Sequence, residues 1–167
     1  MRTGLQNLLL GRHSHVRAGL LDALLATPRW WRDEEAQRRR VEEILELLDL
    51  QVARAVPVGA LPYGLQKLVE LGRALAQEPS LLLLDEPSAG LTPEEKEEFL
   101  FKLQDVRDAF GPAILLVEHD LNLVMRASER VVVLDRGRVV ASGPPAEIQR
   151  HPEVIQAYLG GGAGGPA

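Results

Sequence analysis

The 167-residue sequence contains no cysteine and no long apolar run, and it has no surplus of basic residues. The lack of cysteine excludes disulfides, thiolate nucleophiles and cysteine-ligated zinc. No apolar stretch approaches the roughly 20 residues that cross a bilayer, and the stretch 8–10 after Arg2 is far too short for a signal peptide. A formal net charge of −5 gives no general support for nucleic-acid binding. These absences predict a cytosolic protein that meets a membrane only through a partner.

What is present is an ordinary globular composition, with 46% apolar and 26% charged residues. The length allows one substantial core or two small lobes. Apolar residues at helical spacing predict helices over 33–50 and about 65–77, so the first 78 residues should be mainly helical. The basic run Arg38–Arg40 is interpreted as a solvated helix face.

The pattern changes after Pro79. Two short apolar runs, 81–84 and 113–117, predict strands buried on both faces of a parallel sheet. Between them, Thr92 followed by Pro93 and Glu95 predicts a helix start. A hairpin over 131–140 and short helices around 145–149 and 152–158 follow. The alternation predicts an α/β lobe, although two buried strands are too few for a complete α/β core.

Two acidic residues follow the first of these strands directly. Asp85 and Glu86 come after the run 81–84, and ligands of open α/β folds bind at the carboxyl ends of the strands. One carboxylate there can hold Mg²⁺ through its water shell, and the other can polarise a water that attacks a γ-phosphate. The alternative is that Asp85 simply ends a strand and Glu86 is solvated, and the pair alone does not decide between the two.

Two further segments favour the chemical interpretation. His119 follows the next strand, so adjacent strands would bring its imidazole to the same sheet edge, where it can bridge a γ-phosphate oxygen and the attacking water. Upstream, the segment Leu61–Gln66 opens a helix with a glycine in it, and such an N-terminus offers free N–H groups and a positive dipole end to a phosphate. Taken singly, each segment has a plainer interpretation, as a structural histidine and as a helix start after a proline.

In combination, these motifs resemble the ATP-binding subunits of ABC transporters. That family carries a signature motif, a Walker B strand, a D-loop and a switch histidine in this order. Here Leu61 precedes Asp85 by 24 positions, and Asp85 precedes His119 by 34. Tyr63 and the segments 7–13, 19–21, 27–29 and 151–160 resemble more narrowly the ATPases of branched-chain amino-acid importers. The implied fold is a partial P-loop NTPase of the α/β class, with a helical subdomain followed by the C-terminal part of the parallel-sheet core.

The resemblance implies a role for each matching position. Asp85 would be the magnesium-site acid, Glu86 the catalytic base and His119 the switch residue, with ATP and Mg²⁺ as cofactors. The remaining nucleotide-binding positions would be those of the signature and the D-loop: Leu61, Pro62, Tyr63, Gly64, Gln66, Ser88, Ala89, Gly90 and Leu91. The implied domains are a signature subdomain over 1–78, the C-terminal part of the core over 79–159 and a disordered glycine-rich tail over 160–167.

The sequence departs from the family in two ways. It has no G-x-x-x-x-G-K-[ST] loop, whose N–H groups and lysine cradle the phosphates. Gln6 belongs to a segment that follows the family's Q-loop, so the resemblance implies that the chain begins just beyond that loop. Pro62 replaces the signature serine and offers neither a hydroxyl nor an N–H to the partner's γ-phosphate. The chain alone is therefore predicted not to hydrolyse ATP.

The predicted function is that of the C-terminal portion of an ABC importer's ATP-binding subunit, for branched-chain or other hydrophobic amino acids. The implied partners are transmembrane permease subunits, a second ABC ATPase subunit and, indirectly, a substrate-binding protein, with no nucleic acid. The implied location is the inner face of the cell membrane. One alternative is a non-catalytic split or remnant fragment that acts as an interaction module. A soluble ABC ATPase of DNA repair or translation is disfavoured, because the chain lacks long coiled-coil insertions and a basic surplus.

Overall fold

The computed structural model describes residues 2–16, 19, 22 and 24–156 of the chain, and the predicted tail over 160–167 lies outside these residues. The chain divides into two compact units, residues 1–116 and 117–167. Each unit is described by itself below. The sequence motifs predict a boundary between a signature subdomain and the core near residue 78. That boundary is defined by function rather than by compactness, and it stays a prediction.

Three helices dominate the first half of the first unit. Helix α1 (Gly4–Gly11) begins at Thr3 with a capping box, in which the Gln6 amide donates to the Thr3 hydroxyl. Helix α2 (Pro28–Leu47) begins earlier than predicted, because Thr27 caps it and proline occupies its first position. Helix α3 (Tyr63–Leu75) follows two short 3₁₀ turns, Gln51–Ala53 and Val58–Ala60. A further 3₁₀ turn, Arg12–His15, extends α1.

Glycines bring α1 and α3 into close contact. A methyl group built on Gly11 would lie 2.4 Å from the carbonyl oxygen of Arg73, and one built on Gly72 would lie 3.3 Å from a methyl carbon of Leu8. The core between these helices consists of fully buried aliphatic side chains from α1, α2 and the turn after α2, and the largest of them are Leu8, Val41, Ile44, Leu45, Leu48 and Leu50. At Gly11, the backbone of α1 therefore packs directly against the backbone of α3.

This packing predicts that Gly11→Ala destabilises the chain by about 1–2 kcal/mol, because the overpacking cost exceeds the helix propensity that alanine adds. Urea denaturation followed by circular dichroism measures the loss. Gly19→Ala is the control, since the nearest atom of the described residues to a methyl group there is 3.8 Å away. Equal stabilities of the two variants would contradict the close approach.

A strand–helix–strand segment follows the helical lobe. Strand β1 (Leu81–Asp85) leads to helix α4 (Pro93–Phe110), and β2 (Ala113–Val117) pairs with β1. The Ala113 amide donates to the Ser80 carbonyl over 3.0 Å, so both strands begin at the same end of the sheet and run in parallel. The predicted capping box at Thr92 is present and starts α4.

One face of this two-stranded sheet is open. Leu82 is buried in the core that α4 also lines, whereas Leu83 is 65% exposed and Leu115 is 56% exposed. The prediction that both faces of the strands are buried is therefore wrong for the described residues. The apolar run 81–84 is typical of a strand that is covered on both faces of its sheet. The described residues cover only one of these faces.

The second unit contains a short helix, a hairpin and two helical turns. Helix α5 (Leu121–Ala127) begins at Asp120, whose carboxylate accepts from the Leu123 amide. Strands β3 (Val131–Asp135) and β4 (Arg138–Gly143) pair antiparallel with an irregularity after Val133, and turns α6 (Pro145–Ile148) and α7 (Pro152–Val154) follow. Its small core consists of Val131, Val133, Ala141, Ile148 and Val154. Among the described residues of both units, no helix is long and apolar enough to cross a membrane.

Candidate nucleotide-binding site

The carboxyl end of β1 presents both predicted acidic residues. The side chains of Asp85 and Glu86 are exposed, and Glu86 has a φ of +43°. A non-glycine residue in the left-handed region is uncommon and strained, and such residues cluster at functional sites. The chain thus leaves the extended conformation of β1 at Glu86, directly after Asp85.

The predicted D-loop, residues 88–91, forms a tight turn directly after this point. The Ala89 amide donates to the Glu86 carbonyl over 3.1 Å, and the Leu91 amide donates to the Ser88 carbonyl over 3.2 Å. Gly90 has a φ of +79°, which only glycine adopts readily. Ser88 is almost completely buried, so its side chain supports the turn from inside.

The predicted signature segment starts α3 with Pro62 as the N-cap. Among the described residues no side chain caps this helix end, so the N–H groups of its first turn lack a capping oxygen. Leu61 is buried, and the side-chain amide of Gln66 donates to the Leu61 carbonyl over 2.8 Å. These two predicted binding residues therefore brace the helix start, whereas Pro62 and Tyr63 are exposed.

The signature segment and the D-loop are in direct contact. A methyl group on Gly90 would lie 3.0 Å from a ring carbon of Tyr63, and a methyl group on Gly64 would lie 2.7 Å from a carboxylate oxygen of Glu95. A small pocket of about 70 Å³ lies beside this contact, and Pro62, Gly64 and Leu91 are among the residues that line it. The structure thus joins two predicted binding segments that are more than 20 positions apart in the sequence.

Glu95 is a site residue that the sequence interpretation did not assign. Its position as the acid of the Thr92 capping box is readable in the sequence, but its approach to Gly64 is a tertiary contact that no local pattern indicates. The other oxygen of its carboxylate accepts from the Thr92 amide over 2.9 Å. Glu95 therefore links the start of α4 to the start of α3.

His119 lies in the second unit, directly after β2. Its side chain is 70% exposed, and its Nδ1 is 4.0 Å from a carboxylate oxygen of the buried Glu118. An exposed imidazole held beside a carboxylate can carry a proton or contact a phosphate oxygen. Its predicted position beside Asp85 and Glu86 stays a prediction.

The carboxylate at this site suits a Mg²⁺ ion that is bound together with the phosphates of ATP. The described residues contain no group of three or more side chains that could hold a metal ion by themselves. Mg²⁺ usually keeps several waters and binds through one or two carboxylates together with substrate phosphates. The exposed carboxylate of Asp85 at the strand end meets that requirement.

A second polar cluster lies on the other side of the helical lobe, where Arg12 is almost completely buried. Its guanidinium donates to Gln37 over 2.7 Å and to the Ala76 carbonyl over 3.0 Å, and it pairs with Glu78 at 3.0 Å. Burial raises the pKa of Glu78, but Arg12, Arg40 and His15 together hold that pKa below its ordinary value. The cluster borders an open groove of about 550 Å³.

Comparison with known families gives two matches. The model described as "ABC transporter" matches residues 4–89, which is about half of the chain, and that of the "Branched-chain amino acid ATP-binding cassette transporter" matches residues 138–164. The chain therefore belongs to the ABC transporter family of ATP-binding proteins, as its motifs predict, and its fold is part of the ABC ATPase cassette.

Individual relatives narrow the resemblance. The chain is 38% identical to the high-affinity branched-chain amino acid transport ATP-binding protein LivG of Salmonella typhimurium and 37% identical to LivG of Escherichia coli K12. Each match extends over 158 residues, which are 95% of this chain and 62% of the relative. The chain thus spans less than two thirds of the length of these relatives.

A solved structure agrees with the sequence relatives. The ADP conformation of MJ1267, an ATP-binding cassette of an ABC transporter, superposes with a TM-score of 0.75 at 30% identity, over 95% of this chain and 63% of that one. This match confirms the predicted α/β fold class and its partial extent.

Proposed function

We propose that the chain is the signature and Walker B portion of the ATP-binding subunit of an importer for branched-chain amino acids. The observation that carries the proposal is the direct contact between the uncapped start of α3 and the turn that follows Asp85 and Glu86. Two motifs of one ATPase family are thereby assembled in a single compact unit. The identity to the LivG proteins supports the class of substrate.

In this proposal each residue has a defined task. Asp85 would hold Mg²⁺ through its water shell, and the ion would supply neutralisation of phosphate charge. Glu86 accepts a proton from the attacking water. His119 contacts the γ-phosphate and that water.

The signature segment serves a nucleotide held by a second ATP-binding subunit. The first-turn N–H groups of α3, including that of Gly64, and the positive end of the helix dipole stabilise its γ-phosphate. Ser88, Ala89, Gly90 and Leu91 hold the turn that faces this second subunit.

The open face of the β1–β2 sheet supports a role for further polypeptide. Leu81, Leu83 and Leu115 are each at least half exposed on that face, and parallel sheets are covered on both faces. We propose that a segment carrying the phosphate-binding loop covers it. This chain covers 62% of the length of LivG, and the proposed segment corresponds to part of the remainder.

The helical lobe would contact the transmembrane permease at the inner membrane face, with a substrate-binding protein acting indirectly. Trp31 is 60% exposed and meets Trp30 edge to face, with ring centroids 4.8 Å apart. Leu24 and Leu25 nearby in the sequence are also exposed. Exposed aromatic and aliphatic side chains of this kind form the centres of protein interfaces.

A chimera tests the proposal as a whole. In the chimera, the segment of Escherichia coli LivG that precedes the matched region is fused ahead of Met1. This fusion protein is called the completed cassette below. We expect it to restore leucine uptake to cells that lack LivG. A chimera that assembles with the permease at normal levels but gives no uptake would contradict the proposal. That result would favour the remnant hypothesis, which the missing phosphate-binding loop and Pro62 support.

The N-cap proline of α3 gives a separate prediction. Pro62→Ser in the completed cassette should leave ATP hydrolysis equal or raise it by up to about tenfold, because the serine hydroxyl adds one hydrogen bond to a charged phosphate. Steady-state phosphate release measures the rate. Pro144→Ser is the matched control, since Pro144 is also an N-cap proline without a side-chain hydrogen bond. A large loss of activity in Pro62→Ser would refute this account of Pro62.

A further inference from the structure

Two glycines, one in the signature segment and one in the D-loop, are each covered closely by a side chain from another segment. Tyr63 of the signature segment covers Gly90, and Glu95 of α4 covers Gly64. The methyl-to-atom distances of 3.0 and 2.7 Å are shorter than the roughly 3.5–4.0 Å of an ordinary carbon contact. No side chain other than hydrogen therefore fits at either glycine without displacing its cover.

Both covering side chains are themselves held in place. The ammonium group of Lys67 lies 5.6 Å from the centroid of the Tyr63 ring, within the range of a cation–π interaction. The carboxylate of Glu95 is fixed by the Thr92 capping box, which uses two hydrogen bonds of 2.9 and 3.2 Å. The contacts at both glycines are thus made by ordered groups.

The Tyr63 ring contacts the exposed part of the D-loop. Two backbone hydrogen bonds, those donated by Ala89 and Leu91, close the turn internally, and the side chains of Ser88 and Leu91 at its two ends are buried. Gly90 is exposed. The contact of Tyr63 with Gly90 holds this part of the D-loop against the start of α3, even though the ring remains 47% exposed.

We propose that Tyr63 is a positioning residue that clamps the D-loop to the start of α3, so that both segments meet the neighbouring subunit's nucleotide as one rigid surface. The clamp stands on the geometry alone, and its role in hydrolysis rests on the proposed function. A small side chain at position 63 leaves the ring's volume empty and lets the exposed part of the D-loop at Gly90 move more freely against the start of α3.

Hydrogen exchange in the full chain tests the clamp without nucleotide. Tyr63→Gly should accelerate exchange of the Ala89 and Leu91 amides about tenfold, whereas Tyr63→Phe should leave both rates unchanged because the phenyl ring covers Gly90 equally. The Gly111 amide, which donates to the Arg107 carbonyl at the end of α4, serves as the internal control. Unchanged D-loop rates in Tyr63→Gly, or equal acceleration in Tyr63→Phe, would overturn the clamp.

A double-mutant comparison separates the contact from backbone strain. Gly90→Ala carries the strain of a positive φ in any background, but it meets the Tyr63 ring only when that ring is present. Its accelerating effect on D-loop exchange should therefore be several-fold smaller in Tyr63→Gly than in the parent chain. Equal effects in both backgrounds would show that Tyr63 and Gly90 are not coupled.

Kinetics of the completed cassette test the role in hydrolysis. Tyr63→Gly should lower kcat about tenfold with little change in the KM for ATP, and Tyr63→Phe should restore the parent rate. A change in KM alone would overturn the positioning role. An inactive parent cassette combined with the expected exchange rates would refute the proposed function and leave the clamp intact.

Discussion

Replacing Arg12 by alanine is expected to lower the free energy of unfolding by about 3 kcal/mol, the largest loss expected for a side chain outside the site. The guanidinium bonds to Gln37 on α2, to the Ala76 carbonyl at the end of α3 and to Glu78 after it. Its removal leaves buried acceptors without a donor, and that cost exceeds the loss of the ion pair itself. Urea denaturation of the chain measures the difference.

Arg38→Ala provides the matched control for this prediction. Arg38 is exposed and pairs with Glu34 one helical turn away at 2.9 Å, and such pairs contribute only about 0.3–0.5 kcal/mol. The deficit of Arg12→Ala should shrink below pH 4.5, because Glu78 is charged above that range and loses its pairing as the pH falls through its lowered pKa. Similar midpoints for the Arg12 and Arg38 variants would contradict the structural role of the cluster.

Glu86→Gln is expected to reduce ATP hydrolysis by the completed cassette by at least about 100-fold, the lower range for loss of a general base. Glutamine keeps the shape of the side chain but does not accept the proton of the attacking water. ATP binding should be retained, because Asp85 and the phosphate-binding loop are unchanged. Phosphate release and nucleotide titration measure the two properties separately.

Two controls make the Glu86 result specific. Glu46→Gln removes one exposed negative charge from α2, away from the end of β1, and should leave the rate unchanged. Glu86→Gly should be at least as stable as the parent chain, since glycine adopts the φ of +43° without strain. A Glu86→Gln cassette with the parent rate would show that another group acts as the base.

Local sequence patterns predicted much of the fold. The capping box at Thr92, the strand 113–117 and the hairpin that begins at residue 131 all formed as expected, because each depends on neighbouring residues. The start of α2 was misplaced because Thr27 and Pro28 precede the first apolar stripe. Local rules apply there too, but a mainly polar stretch over 32–40 separates the helix start from the apolar stripe that begins at Val41.

Contacts between distant segments could not be predicted. The run Arg38–Arg40 was interpreted as a solvated face, which is wrong for Arg40. That residue is half-buried, bonds to Glu78 and stacks on Phe110 with its guanidinium carbon 4.5 Å from the ring centroid. The positions of Asp85 and Glu86 at a strand end followed from the sequence, whereas the approach of Tyr63 to Gly90 depends on how α3 packs beside α4.

The central claim is that this chain carries the signature and Walker B portion of an ATP site and takes its phosphate-binding loop from other polypeptide. Calorimetric titration of Mg²⁺–ATP into the 167-residue chain alone tests it most directly. The expected result is no saturable binding up to about millimolar ATP, which corresponds to a binding free energy weaker than about −4 kcal/mol. Micromolar, magnesium-dependent binding that Asp85→Asn abolishes would contradict the claim.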